Sequence, residues 1–167
     1  ENNQIISSWK DSLISGNMDM NISDFINVPI FGCFKDTRER RYVNLENCLE
    51  KVWRIGGEEG WYCGDWLWRI RGFIDKIFGG VGLRRGRTNE IELCAGDAVD
   101  FWRVLYANKN EGRLLLFAEM KLPGEAWLEF KIHKNKLIQT ATFRPIGLLG
   151  RIYWYCVLPF HGYIFNG

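Results

Sequence analysis

Between Val99 and Phe143 apolar residues recur at every second position, in four runs separated by short polar breaks. The runs are Val99–Tyr106, Arg113–Lys121, Glu125–Ile132 and Lys136–Phe143, and the breaks read ANKNEG, LPGE and HKNK. A period of two belongs to a strand, whose successive side chains point to opposite faces. Breaks this short hold a turn but no crossover, so the runs predict a four-stranded antiparallel meander. Pro123-Gly124 suits the central pair of a type II turn, and Asn135 tolerates the left-handed conformation of a tight turn. In the third run Ala126, Leu128, Phe130 and Ile132 make an apolar side, while Glu125, Trp127, Glu129 and Lys131 make a wetter one. The second run is ambiguous, because Leu114, Leu115, Leu116 and Phe117 are apolar in succession.

Helical spacing flanks the meander on both sides. Tyr42 and Val43 end a short strand-like stretch, TRERRYV, and Asn44 can cap the helix that follows by accepting from its first free N–H groups. That helix is predicted over 45–55, with Leu45, Cys48, Leu49, Val52 and Trp53 on one face and Gly56 and Gly57 as its stop. A second helix is predicted within WYCGDWLWRIRGFIDKIFGG (61–80), where Trp66, Ile70, Phe73, Ile74 and Ile77 align. Asp65, Arg69, Arg71 and Asp75 interrupt it too often for a bilayer span. Residues 146–165 form a third, aromatic helix; Arg151, Pro159, His161 and Gly162 argue against a span there too. Residues 1–30 have no clean period and read as a linker or the tail of a preceding domain, leaving 31–167 as the folded unit. The opening ENNQIISSWKDS lacks both an initiator methionine and the apolar run of a signal peptide, which points to a chain cut from a longer protein.

A net charge of +2, with its cations dispersed, gives no support to nucleic acid as a partner. Five cysteines without a CxxC spacing, and only His133 and His161 beside them, indicate neither a disulfide framework nor a metal site. Buried free thiols in a reducing cytoplasm are the expectation. The glycines of GGVGLRRG (79–86) follow a helix rather than a strand, so they read as cap and turn residues and not as a dinucleotide loop.

The order of strand, two helices, antiparallel meander and long C-terminal helix resembles the helix-grip fold of the START-like (SRPBCC) superfamily. In that α+β fold a curved antiparallel sheet wraps the last helix and encloses a cavity. The strings IGGEEGWYCGDWLWRIRGFIDKIFGGVGLRRGR, GDAVDFWRV, AEMKLPGEAWLEF, QTATFRPIGLLGRIYWY and LPFHGYIF are similar to one bacterial family of unknown function, over about residues 38–166. Its members usually stand behind an NmrA-like, atypical short-chain dehydrogenase domain. The resemblance implies a cytoplasmic accessory domain without a cofactor of its own, NAD(P) belonging to the N-terminal domain. It supplies no catalytic residue and no reaction.

Aromatic residues make up 15% of the chain, more than a plain core of this size needs, and small-molecule sites are concave and ring-lined. Trp66, Phe73, Phe101, Phe117, Phe130, Phe143 and Trp154 are the expected lining, with Arg103 as a polar anchor. Glu119 and His161 are the candidates for proton transfer: a carboxylate inside a cavity holds its proton more tightly, and an imidazole titrates near neutrality. The plainer account makes both of them ordinary packed or surface groups. Three readings follow: a module binding an apolar or amphipathic small molecule, a cyclase, dehydratase or isomerase, and a docking or dimerisation domain. The first is preferred, because no motif specifies a reaction.

Overall fold

A computed structural model describes residues 28–56, 60–61, 72–73 and 92–166, with side chains described as far as 159. Its elements in chain order are β1 (Phe34–Arg41), α1 (Leu45–Trp53), β2 (Ala98–Val99), β3 (Trp102–Asn108), β4 (Arg113–Ala118), β5 (Gly124–His133), β6 (Lys136–Pro145) and α2 (Gly147–Asn166). The six strands make one curved antiparallel sheet in the order β1-β6-β5-β4-β3-β2. The predicted meander is present as β3 to β6. β1, remote in sequence, closes on β6 with Phe34 opposite Phe143 and Arg41 opposite Lys136.

Local chemistry explains the turns. Lys134 and Asn135 both have positive φ, at 45° and 61°, as a two-residue hairpin requires. Gly124, expected in a type II turn, is instead the first residue of β5, opposite Pro145. Space rather than dihedral freedom demands glycine there: a Cβ would lie 2.6 Å from the Phe143 ring and 2.4 Å from the Arg144 carbonyl oxygen. The expected strand Val99–Tyr106 is broken at Asp100, whose φ of 55° turns the chain between β2 and β3. Asn44 caps α1 as predicted, its side-chain oxygen accepting from the N–H of Glu46 at 2.8 Å and of Asn47 at 3.2 Å.

Register assigns the side chains to two faces. Leu116 lies opposite Val104 and Leu128, and Leu128 opposite Ala141, so these four share one side. Val52 and Trp53 of α1 join the same core cluster as these residues. Trp154 of α2 stacks on Phe34 and Phe143, which belong to the same side, so both helices lie on one face. β4 is central, and Leu114, Leu115 and Leu116 are all fully buried. Burial on both faces is why its sequence shows no alternation. The second predicted helix lies almost entirely outside the described residues; Gly72 and Phe73 within it are helical.

Candidate functional site

The helix-bearing face carries two groups of rings at opposite margins of the sheet. At the β1–β6 margin Trp154 is nearly parallel to Phe34 (5.5 Å, 9°) and to Phe143 (5.9 Å, 6°). Phe143 also meets Tyr153 at 5.5 Å, and Phe34 meets Tyr155 edge-on at 5.7 Å. Offset stacking and edge-to-face contacts are the favoured ring geometries. The cross-strand pair Phe34–Phe143 thus makes a flat seat, and Gly150 lets the start of α2 approach closely, since a Cβ there would lie 2.3 Å from the Pro123 carbonyl oxygen.

At the β2–β3 margin Trp61 stacks on Phe101 at 6.4 Å and 9°, with Trp102 within 6.0 Å of both rings. The Trp61 indole N–H donates to Asp100 Oδ2 at 2.7 Å. Among the described residues the buried polar or charged side chains are Asp100 and Thr142, and Asp100 is only 4% exposed. A buried carboxylate is costly without hydrogen bonds, and the indole supplies one. Gly56 completes this corner. Its φ is +77° and its N–H donates to the Gly60 carbonyl at 2.8 Å; a Cβ would strike Val99 Cγ1 at 2.3 Å and approach Asp100 Oδ2 at 3.2 Å. Val104, Leu114, Leu116, Leu128, Phe130 and Ala141 form an aliphatic and aromatic floor between the two margins.

The opposite face is chemically different. Arg103 donates from Nε to Glu119 Oε1 at 2.8 Å, from Nη2 to Oε2 at 3.1 Å, and from Nη1 to the Gly96 carbonyl at 2.8 Å. Arg113 and Lys131 converge on Glu129 at 2.9 and 3.1 Å, and Arg144 pairs with Glu125. Phe117 packs on Trp127 at 5.4 Å, with the Arg144 guanidinium 6.0 Å from the Trp127 ring.

The expected lining is therefore divided. Phe101, Phe130, Phe143 and Trp154 come together on the helix-bearing face. Arg103, Phe117 and the proton-transfer candidate Glu119 lie behind the sheet, where Glu119 is held in a two-pronged ion pair. The cause is simple alternation: Phe117 and Glu119 flank Ala118, which sits in the core, so both point away from it. Phe73 is 66% exposed. Trp66 and the side chain of His161 lie outside the described residues. Trp61, Phe34 and Asp100 were not in the expected set. The signal for Asp100 was present, because it breaks the alternation just where an Asp can adopt positive φ.

Among the described residues no cluster of His, Cys, Asp and Glu is placed to hold a metal ion. Nor is any helix among them long and apolar enough to cross a membrane. The molecule is thus an α+β domain whose antiparallel sheet carries both helices and most of its described rings on one face and most of its described ion pairs on the other. The Asp36–Arg38 pair, at 3.3 Å, shares the helix-bearing face, with Asp36 opposite Ala141. The chain belongs to a family described as a protein of unknown function (DUF2867), whose model matches residues 33–167. No curated protein and no solved structure matches it.

Proposed function

We propose that the domain binds an apolar or amphipathic small molecule between the sheet and α2, without catalysing a reaction on it. The observation that carries this reading is the pair of ring clusters, Phe34–Phe143–Trp154 and Trp61–Phe101–Trp102, at the two margins of one face with an apolar floor. Rings at the walls and aliphatic groups on the floor are the composition of a small-molecule site. α2 touches that face through Tyr153 and Trp154, the latter resting on the β1–β6 pair, and a helix held at one margin suits entry of a ligand from the other. Glu119 takes no part in this site, because Arg103 occupies both of its oxygens on the far face.

The helix-grip assignment is part of the same reading. It is supported by the closure of β1 on β6, by the meander and by the terminal helix laid over the β1–β6 pair. Service to an NAD(P)-binding, NmrA-like domain of the same protein in a bacterial cytoplasm rests on the family resemblance alone.

The test is a titration of the chain with anilinonaphthalene sulfonate, a fluorescent apolar anion. One saturable site per chain is expected. Ala141→Met, which fills the floor, should weaken it about tenfold or more, whereas Arg103→Met on the far face should leave it unchanged. Ile152→Glu, on the outer side of α2, serves as control for the probe adhering to exposed surface. Weak, unsaturable fluorescence, or loss only in the Ile152 variant, would defeat the proposal.

A further inference from the structure

α2 is apolar on two opposite sides, and the sheet uses one of them. Gly150, Tyr153, Trp154 and Val157 fall on the inner arc, where Gly150 and Trp154 are buried and the other two half-buried. Leu148, Leu149, Ile152 and Tyr155 fall on the outer arc and are 73%, 74%, 51% and 64% exposed. At about 100° per residue these outer residues, with Cys156 and Pro159, span an arc of roughly 120°. Arg151, the charged residue of the helix, lies at the rim of that arc. A globular helix that faces water carries polar residues on its outer side, and over its described side chains this arc carries none.

We infer that the outer face of α2 is a homodimer interface, covered by the same helix of a second copy. Two observations select that occupant. Leu148, Ile152, Tyr155 and Pro159 are spaced by four, three and four residues, the seam spacing through which one helix packs along another. A second copy brings the same seam, and a two-fold axis makes it self-complementary. The area is also sufficient. Leu148, Leu149, Ile152 and Tyr155, with the exposed Cys156 and Pro159, make a stripe of six side chains. Together these contribute on the order of 500 Å² per copy, so about 1,000 Å² in a pair, which reaches the lower limit for a specific interface. Arg151 at the rim stays solvated in such a pairing.

This inference is independent of the proposed ligand, because it uses the side of α2 that faces away from the sheet. Sedimentation velocity of the full 167-residue chain should show twice the monomer mass, and the double variant Leu149→Glu, Ile152→Glu should sediment as a monomer with its thermal midpoint kept. Should the double variant unfold, the unmodified chain still decides the matter through its thiols. Cys94 and Cys156 are both exposed, but only Cys156 lies on the outer arc of α2. Alkylation mapped by mass spectrometry should slow about tenfold at Cys156 between dilute and concentrated protein, with no change at Cys94. A chain monomeric at all concentrations overturns the inference. So does a dimer that survives the double variant, or a Cys156 that reacts at one rate throughout. Retention on phosphatidylcholine vesicles in place of self-association would overturn it too, in favour of a lipid surface.

Discussion

The two faces of the sheet use one backbone for opposite purposes. On the helix-bearing face the register brings Leu116, Leu128 and Ala141 into line as an apolar floor, with polar contacts at its margins in Asp36–Arg38 and Trp61–Asp100. On the far face the same register sets Arg113 beside Glu129 and Arg144 beside Glu125, and brings Arg103 to Glu119. Buried apolar contact contributes roughly 25 cal/mol per Å² and creates a cavity when it is lost. An ion pair open to water, such as Arg144–Glu125, contributes much less, because water competes for both charges. The stability of the domain should therefore be concentrated on one face, with the other fixing register.

Graded substitutions can break that contrast. Trp154→Ala should have the largest effect, about 3–5 kcal/mol in denaturant unfolding, since it removes the ring on which α2 rests. If it proved neutral, α2 would not be part of the cooperative unit. Gly56→Ala should cost about 2–4 kcal/mol, combining a strained positive φ with a methyl group forced into Val99. Glu119→Gln should cost about 1–3 kcal/mol, because both residues of the pair are more than four-fifths buried at the side chain and Arg103 loses its charged acceptor. A loss as large as that of Trp154→Ala would erase the distinction between the faces.

Smaller still is Lys136→Ala, expected below about 1 kcal/mol, as the Lys136–Glu39 pair stands 43% and 51% exposed. The smallest effect is a pH dependence at Cys48. Partial burial on α1 pushes its thiol above the ordinary value, while Lys51 pulls it back in part. The folded state thus holds that proton more tightly than the unfolded chain. Its contribution is complete below the unfolded cysteine value of about 8.5 and is lost as pH rises through that range. A slight fall in thermal midpoint above about pH 8.5, absent in Cys48→Ala, would show it.

Much of this architecture was legible because it is written in local chemistry. The Asn44 cap, the Lys134-Asn135 hairpin and the alternation of β5 each depend on residues a few positions apart. The site was legible only in part. Phe130, Phe143 and Trp154 were expected together and are on the same side, but Phe117 and Arg103 were expected with them and are not. An apolar run such as Leu114–Phe117 gives no parity from which to read a face, so a ring there could be placed on either side. Asp100 was read as one residue of a strand, and its turn appears only when β2 and β3 pair.

The sequence by itself determined the meander apart from its break at Asp100, the helix cap and the C-terminal helix, because periodicity and capping act within one or two turns of chain. Tertiary structure alone decided that β1 closes on β6, that Trp61 reaches Asp100, and which face each ring shares. Those are contacts between residues 39 to more than 100 positions apart, as from Trp61 to Asp100 and from Phe34 to Phe143. Their partners are chosen by packing and hydrogen-bond geometry across the sheet, and no local propensity carries that information.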